Sequence, residues 1–159
     1  MIRVGQSVDI HPLKPGRDLV LGGVKIDHET GLDGHSDADV LVHAIAESIL
    51  GALALGDLGT HFPDTDPRYK GISSLKLLAH TVDLAAHTGY RLVNLDATIL
   101  AERPKMAPHI PVMRENIARV LSCDVSQVSI KATRGEKLGF VGRQEGIAAV
   151  CVCLLEDRR

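Results

Sequence analysis

The sequence predicts an α+β fold, a mixed β-sheet with helices packed on one face, as a single domain over residues 1–159. Strand-like and helix-like segments alternate along the chain without a linker or a low-complexity stretch. Residues 92–100 alternate polar and apolar side chains, as a half-exposed strand does. Residues 146–155 are almost continuously apolar, which is typical of a strand covered on both faces.

The first elements are expected to be strands. Residues 2–8 begin a strand pattern that continues through His11. Residues 18–21 and 24–26 flank a pair of glycines, which predicts a short strand bent by a turn or a bulge.

A buried helix is predicted over residues 38–55, which are apolar on nearly every side. Ser36 is the expected cap, and Asp39 is the acid three residues later. Glycine, proline and aspartate are frequent in residues 56–71, so a long functional loop is expected there.

The second half of the chain continues the alternation. A helix is expected from residue 73 or 74 to residue 89, followed by the strand at 92–100. Residues 108–121 predict a third helix, and residues 128–133 and 146–155 predict the last two strands. The uncovered face of the last strand is expected to meet a neighbouring subunit.

Composition argues against several function classes. A net charge of −2 provides no basic field for nucleic acid or an anionic membrane, and 3% aromatic residues provide few base-stacking platforms. No apolar stretch approaches the roughly 20 residues that cross a bilayer. Met1 leads directly into a strand pattern, so a cytoplasmic protein is expected, or a plastid protein if a transit peptide has been removed.

The cysteines fit a reducing compartment. Cys151 and Cys153 alternate on one strand face, where neighbours are poorly placed to form a disulfide, and Cys123 is isolated. A zinc role for the first two remains open, although buried small apolar residues are the favoured interpretation.

Asp9, His11 and His43 form a candidate metal-ligand set. Asp9 and His11 are two residues apart on a predicted strand and project from the same face, whereas His43 comes from the following helix. Two imidazoles and a carboxylate suit a catalytic zinc that keeps a fourth position open. A lone histidine is more often structural, but a strand and a helix together make a rigid site. The set predicts an enzyme.

Three regions predict phosphate chemistry. His35 and Ser36 lie at a predicted helix start, where free backbone N–H groups bind anions. The turns at 56–59 and 62–67 add carboxylates, which suit either a ligand pocket or a solvent-facing turn. Residues 131–140 combine two lysines, an arginine, a hydroxyl and a carboxylate, a set that can hold a diphosphate and a divalent ion.

Several motifs occur in order through nearly the whole chain. In this arrangement the sequence resembles the 2-C-methyl-D-erythritol 2,4-cyclodiphosphate synthases of the non-mevalonate isoprenoid pathway. The motifs are Asp9-x-His11, Gly34-His35-Ser36-Asp37-x-Asp39, His43, Gly56-Asp57-x-Gly59, Phe62-Pro63-Asp64-Thr65-Asp66-Pro67, Pro104-Lys105-Met106-x-Pro108-His109-Ile110 and Glu136-Lys137-Leu138-Gly139-Phe140.

The resemblance implies a phosphorus-oxygen lyase. Such an enzyme converts 4-diphosphocytidyl-2-C-methyl-D-erythritol 2-phosphate into the cyclic diphosphate and CMP. The implied assembly is a homotrimer with its sheets around the three-fold axis and three active sites at subunit interfaces. By this likeness Asp9, His11 and His43 hold Zn²⁺ or another divalent transition metal, and Glu136 helps hold Mg²⁺ or Mn²⁺ on the substrate diphosphate. These four are the expected catalytic residues.

The resemblance also implies the substrate contacts. The methylerythritol phosphate pocket would be lined by His35, Ser36, Asp57, Gly59, Phe62 and Asp64. The cytidine would be surrounded by Ala101, Pro104, Lys105, Met106 and Ala107, with Ala132 and Thr133 nearby. Phe140, Arg143 and Glu145 match an axial cavity able to take a prenyl diphosphate, unless Arg143 and Glu145 only form an interfacial salt bridge.

Three positions depart from the pattern of the family. Ser7-Val8 stands where a glycine and an aromatic residue are usual, and Arg134-Gly135 stands where threonines are common. Arg134 is expected to bind phosphate by charge, with Gly135 making room for it, although solvent exposure of Arg134 is equally compatible. Glu47 replaces an aspartate and is expected to orient His43 from one helical turn away.

The implied reaction fits the residues present. The attacking 2-phosphate is already an anion, so metal ions that neutralise phosphate oxygens are needed more than a general base. Two other function classes stay open: a metal-dependent nucleotide-diphosphate phosphohydrolase and a zinc-stabilised, non-catalytic assembly module.

Overall fold

A computed structural model describes residues 1–158. The strands are β1 (Ile2–Pro15), β2 (Leu19–Leu21), β3 (Val24–Ile26), β4 (Thr30–Leu32), β5 (Tyr90–Leu100), β6 (Val128–Thr133) and β7 (Gly146–Asp157). The helices are α1 (Val40–Ala52), α2 (Leu58–His61), α3 (Ser74–His87), α4 (Ile110–Leu121) and α5 (Gly139–Gly142). Within these residues, no helix is both long and apolar enough to traverse a membrane.

Five of the strands form one mixed sheet in the order β4-β1-β7-β5-β6, with only β5 and β6 parallel. The apolar β7 lies at its centre, as a strand of continuous apolar character should. His11 on β1 pairs with Ile147 on β7, and Leu100 on β5 pairs with Ala148 on β7. His11 and the C-terminal end of β5 therefore lie at the same end of the sheet.

The helices cover one face of the sheet, which confirms the predicted layer arrangement. Helix α1 packs directly on β1 and β7, α3 packs on α1, and α4 packs on α3 and β6. A Cβ atom at Gly5 would lie 1.8 Å from the carbonyl oxygen of Ser48, so only glycine permits the observed approach of α1 to β1. This close approach brings a residue of α1 beside the side chains of β1.

The opposite sheet face is open in the single chain, and it carries exposed apolar side chains on β1 and β7, whereas Asp96 and Lys131 form an ion pair on its β5–β6 part. Its exposed side chains include Ile2, Val4, Val8 and Ile10 on β1 and Val152 on β7. We call these five residues the outer face. The face that the helices cover carries the buried Cys151 and Cys153, and all three cysteines are free. Burial raises the pKa of Cys151 to about 12, which supports its interpretation as a packing residue.

Several boundaries differ from the sequence prediction. Helix α1 begins at Val40 and is capped by Asp39, not by Ser36, because the carboxylate of Asp39 accepts the N–H of Val42. His43 consequently lies in the first turn of α1. The predicted irregular loop contains α2 and a single helical turn at Pro67–Tyr69. The glycine pair closes a separate two-stranded hairpin between β2 and β3.

Candidate active site

Asp9, His11 and His43 meet near the point where β1 stops pairing with β7, at Pro12 and Gly146. The Nε2 atom of His11 lies 3.0 Å from Oδ2 of Asp9 and 3.1 Å from Nδ1 of His43. Nδ1 of His43 lies 3.1 Å from the same carboxylate oxygen. The three atoms form a nearly equilateral triangle, so the structure brings together the ligand set that the spacing predicted.

The hydrogen bonds behind the two rings determine which nitrogens face this triangle as acceptors. Nδ1 of His11 lies 3.0 Å from the carbonyl oxygen of Asp33, which can only accept, so Nδ1 carries the proton and Nε2 carries a lone pair. A neutral His43 that donates from Nε2 likewise presents a lone pair at Nδ1. Two lone pairs and a carboxylate oxygen then converge on one point, an arrangement that a bound cation stabilises.

The electrostatics of the cluster favour an ionised Asp9. Burial favours a raised pKa for Asp9, but the hydrogen bonds and charges of His11 and His43 outweigh it and hold that pKa well below its usual range. Burial lowers the pKa of His11, whereas the hydrogen bond to Asp9 raises it and gives a net upward shift. Asp9 is therefore an anion at neutral pH, ready to bind a cation.

A cavity of about 370 Å³ opens beside the metal-ligand triangle. We call it the metal cavity. Of the residues predicted for the methylerythritol phosphate pocket, four line it directly. Sequence reasoning missed several of its walls. The predicted lining residues are His35, Ser36, Phe62 and Asp64, and the walls that were missed are Gly34, Leu58, Tyr69 and Leu77.

The remaining two residues predicted for this pocket lie at its margin. Asp57 caps α2, and its carboxylate accepts the N–H and the hydroxyl of Thr60 at 2.8 and 2.7 Å. Gly59 follows Leu58 within α2. These residues do not line the metal cavity in the single chain, and their substrate contacts stay a prediction.

The predicted anion site at the helix start is wrong. His35 and Ser36 precede α1, and the carboxylate of Asp39 occupies its N-terminus. Nε2 of His35 lies 3.2 Å from the carbonyl oxygen of Asp66, and the hydroxyl of Ser36 lies 3.1 Å from Nε2 of His43. Both residues border the metal cavity through side-chain contacts and not through a free helix end.

Glu47 has a different partner from the one expected. Its carboxylate accepts the hydroxyl of Ser7 at 2.6 Å and the N–H of Leu58 at 3.4 Å. The prediction that Glu47 orients His43 is therefore wrong, because both carboxylate oxygens accept hydrogen bonds from β1 and α2. Ser7 and Glu47, two of the departures from the family pattern, contact each other, and together they join β1, α1 and α2.

A second cavity, of about 420 Å³, lies where β5 and β6 end. We call it the basic cavity, because Arg103, Lys105, Arg134 and Lys137 contribute to its lining. Four of its lining residues were predicted as substrate contacts or phosphate-binding groups, and three were missed. The predicted ones are Pro104, Lys105, Arg134 and Lys137, and the missed ones are His28, Glu102 and Arg103.

The other predicted cytidine contacts form the support of the basic cavity. Ala101 and Met106 are buried, and the N–H of Ala101 donates to the carbonyl oxygen of Thr133 at 3.0 Å. Ala132 pairs with Ile99 across the parallel strands. Ala107 is exposed after Met106. Alanine side chains have no polar atoms, so Ala101, Ala107 and Ala132 can form hydrogen bonds to a nucleoside only through their backbone groups.

Residues 134–142 form a tightly folded loop beside the basic cavity. The N–H of Gly135 donates to the carboxylate of Glu102 at 3.1 Å. A Cβ atom at Gly135 would lie 2.5 Å from the backbone nitrogen of Gly142, so this glycine permits the loop to close and does not make room for Arg134. Arg134 and Glu136 are exposed, and Glu136 has a left-handed φ of 51°. Glu136 lies outside the metal-ligand triangle.

The residues predicted for an axial cavity follow this loop. Arg143 donates to both carboxylate oxygens of Glu145, at 3.0 and 3.1 Å. Both side chains are more than half exposed, and the pair forms within one chain. Phe140 lies nearby, within 3.5 Å of a Cβ atom built on Gly146. The contact of these residues with a prenyl diphosphate stays a prediction.

Known proteins match this chain over nearly its whole length. The model of the YgbB family matches residues 2–156. The chain belongs to the YgbB family. Its relatives include a protein of Geobacter sulfurreducens named 2-C-methyl-D-erythritol 2,4-cyclodiphosphate synthase, 62% identical over 99% of this chain and 100% of that protein. A Clostridium perfringens protein of the same name is 59% identical, over 97% of this chain and 99% of its own length.

Solved structures support the fold of this YgbB family member. The Plasmodium falciparum IspF in complex with CDP superposes with a TM-score of 0.88 at 36% identity, covering 99% of this chain and 97% of that one. The resemblance inferred from the motifs is thereby confirmed, together with the mixed α+β fold.

Proposed function

We propose that this chain cyclises 4-diphosphocytidyl-2-C-methyl-D-erythritol 2-phosphate to 2-C-methyl-D-erythritol 2,4-cyclodiphosphate and releases CMP. The observation that carries the proposal is the convergence of three metal-binding atoms beside a cavity, in a chain whose full-length relatives are named for this product. The same reaction makes the protein a lyase of isoprenoid biosynthesis.

The metal-ligand triangle suits Zn²⁺ or a similar divalent transition metal, which would withdraw charge from phosphate oxygens when bound. Asp9 supplies the anionic ligand, while His11 and His43 supply neutral nitrogen ligands. Phe62 and Tyr69 both line the metal cavity and pack edge to face, with ring centroids 5.4 Å apart.

The basic cavity is proposed to take the cytidine diphosphate part of the substrate. The CDP complex of the Plasmodium falciparum relative supports a cytidine nucleotide as ligand. Lys105, Arg134 and Lys137 offer cationic groups to phosphate oxygens, and Pro104 offers an apolar surface. Glu136 is proposed to hold Mg²⁺ or Mn²⁺ on the diphosphate, because a carboxylate is a preferred ligand of hard cations.

The reaction requires contributions from both cavities. A phosphate held near the metal cavity must reach the diphosphate held at the basic cavity, yet none of the lining residues described for either cavity belongs to both. We propose a homotrimer in which the metal cavity of one subunit faces the basic cavity of its neighbour. The apolar outer face supports this assembly, since it is open in the single chain and needs cover.

Incubation with the cytidylyl substrate and Mg²⁺, followed by phosphorus NMR, tests the proposed function. A cyclic diphosphate and CMP in equal amounts are expected. CMP accompanied by a linear phosphate product would identify a phosphohydrolase, and the absence of turnover by a metal-loaded oligomer would favour the assembly module. A cytoplasmic location stays a prediction.

A further inference from the structure

The N-terminus of α3 contacts His43 at Nε2, the ring nitrogen that does not face Asp9 and His11. Nε2 of His43 lies 2.9 Å from the hydroxyl oxygen of Ser74, which is completely buried. The hydroxyl of Ser74 in turn contacts the carboxylate of Asp37, whose other oxygen accepts the N–H of Ser74 at 3.0 Å. A short chain of hydrogen bonds thus leads from the ring to a carboxylate.

The carboxylate of Asp37 determines which atom donates in each of these hydrogen bonds. An ionised carboxylate can only accept, so the hydroxyl proton of Ser74 points towards Asp37. The hydroxyl oxygen is then free to accept a proton from Nε2 of His43. With Nε2 protonated, the neutral ring presents its lone pair from Nδ1, the atom that lies 3.1 Å from both Asp9 and His11.

Ser36 is compatible with the same direction. Its hydroxyl oxygen lies 3.1 Å from Nε2 of His43 and already accepts the N–H of Ala38 at 3.1 Å. A hydroxyl can rotate to accept or to donate, so Ser36 does not select a tautomer by itself. The selection comes from the carboxylate of Asp37.

We propose that Asp37 and Ser74 are positioning residues that fix the tautomer and the ring orientation of His43 and thereby strengthen metal binding. Neither residue belongs to the metal-ligand triangle. The inference deepens the proposed function and rests on its metal site. Groups that orient a metal-binding histidine in this way typically contribute about 10- to 100-fold in metal affinity.

Asp37 also has a structural role, which the test must separate. Its carboxylate caps α3 from a distant part of the chain, because the nominal cap residue Ser73 makes no side-chain hydrogen bond there. A loss of stability alone would therefore not support the proposal. Metal affinity and the protonation of the ring nitrogens are the informative measurements.

The first experiment compares the two adjacent serines. Ser74→Ala is expected to weaken Zn²⁺ binding about 10- to 100-fold in competition with a chromophoric chelator. Ser73→Ala is the matched control, and its Zn²⁺ affinity should equal that of the parent. Equal affinity in Ser74→Ala and Ser73→Ala, with both proteins folded by circular dichroism, would overturn the proposal.

The second experiment removes the carboxylate that orients the Ser74 hydroxyl. Oδ1 of Asp37 also accepts the N–H of Asp39 at 3.2 Å, and Oδ2 accepts the N–H of Ser74 at 3.0 Å, so the NH₂ group of Asp37→Asn faces a backbone donor in either orientation. The neutral amide holds the hydroxyl proton of Ser74 less firmly than a carboxylate does, and Nε2 of His43 is no longer fixed as a donor. We expect a lower Zn²⁺ affinity than the parent's. An affinity equal to the parent's would contradict the proposed direction.

The parent protein provides a test that does not depend on any variant. Nitrogen-15 NMR of the Zn²⁺-loaded protein should show His43 bound to the metal through Nδ1 and protonated at Nε2. Metal bound through Nε2 would refute the proposal. The outcomes also separate the two proposals: zinc binding by the predicted tautomer without cyclisation defeats only the proposed function, whereas cyclisation with an unaffected Ser74→Ala defeats only the positioning pair.

Discussion

At the residue scale, the metal-ligand triangle depends on three side chains at nearly equal separations. Removal of one ligand leaves two, which hold Zn²⁺ weakly. His11→Ala and His43→Ala are each expected to deplete the bound zinc and to abolish cyclisation. Metal analysis after dialysis checks this, with His87→Ala, an exposed histidine on α3, as the control. Full zinc occupancy in His11→Ala or His43→Ala would remove that residue from the ligand set.

Arg134 offers a second test at this scale. Its exposed side chain at the basic cavity can make two charge-assisted hydrogen bonds to a phosphate where a threonine makes one. Arg134→Thr is expected to weaken substrate binding by about 1–3 kcal/mol. Steady-state kinetics measure the change, and Arg119→Thr on α4 is a control outside both cavities. A Michaelis constant and turnover equal to the parent's would leave Arg134 as a solvent-facing residue.

Ser7 and Glu47 are two departures from the family pattern that contact each other. Ser7 is 6% exposed, and its hydroxyl donates to Glu47 at 2.6 Å. Ser7→Ala and Glu47→Asp each remove this contact, so their combined cost in unfolding free energy should be smaller than the sum by about 1–2 kcal/mol. Denaturant unfolding of the two single variants and the double variant measures the coupling. Additive costs would show that the contact contributes nothing.

At the element scale, Asp39 connects the β2–β3 hairpin to α1. One carboxylate oxygen accepts the N–H groups of Gly22 and Val42, and the other accepts the N–H of Gly23 at 2.8 Å. Asparagine caps a helix as well as aspartate does, so the cap alone would survive Asp39→Asn. The amide NH₂ would nevertheless face a backbone N–H.

Asp39→Asn is therefore expected to lower the free energy of unfolding by about 1–3 kcal/mol, the cost of a buried donor without an acceptor. Urea unfolding provides the measurement. Asp83→Asn on the exposed side of α3 is the matched control and should change stability little. Equal stability of the two variants would show that the hairpin does not depend on this carboxylate.

At the scale of the whole molecule, the outer face is the surface that the proposed trimer would bury. Val152 lies at its centre on β7 and is 44% exposed, while Val112 on the helical side is 47% exposed. Val152→Lys is expected to convert the proposed trimer to monomers, because three ammonium groups would be buried near one axis. Val112→Lys should leave the assembly intact.

Sedimentation at micromolar concentration distinguishes these states. A parent protein that sediments as a monomer would defeat the homotrimer directly. A Val152→Lys variant that remains trimeric would place the interface elsewhere. Since the two cavities share none of their described lining residues, monomeric Val152→Lys should also lose cyclisation while it retains zinc.

Much of the architecture could be predicted from local sequence patterns. Strand β6 has the predicted bounds, and β7 begins where its apolar run begins, because side-chain alternation and continuous apolarity are properties of neighbouring residues. The pairing of Asp9 with His11 on one strand face follows from a two-residue spacing. The family is likewise a property of the motifs and their order.

Other features were decided only by the tertiary structure, since they depend on residues far apart in sequence. The N-terminus of α1 took Asp39 as its cap because the hairpin supplies two more donors to that carboxylate. Glu47 reached Ser7, 40 positions away. The tautomer of His43 depends on Ser74 and Asp37, which become neighbours only when α3 packs on α1. The sequence alone determined which groups can bind the metal, and the packing of distant segments decided which atoms they present.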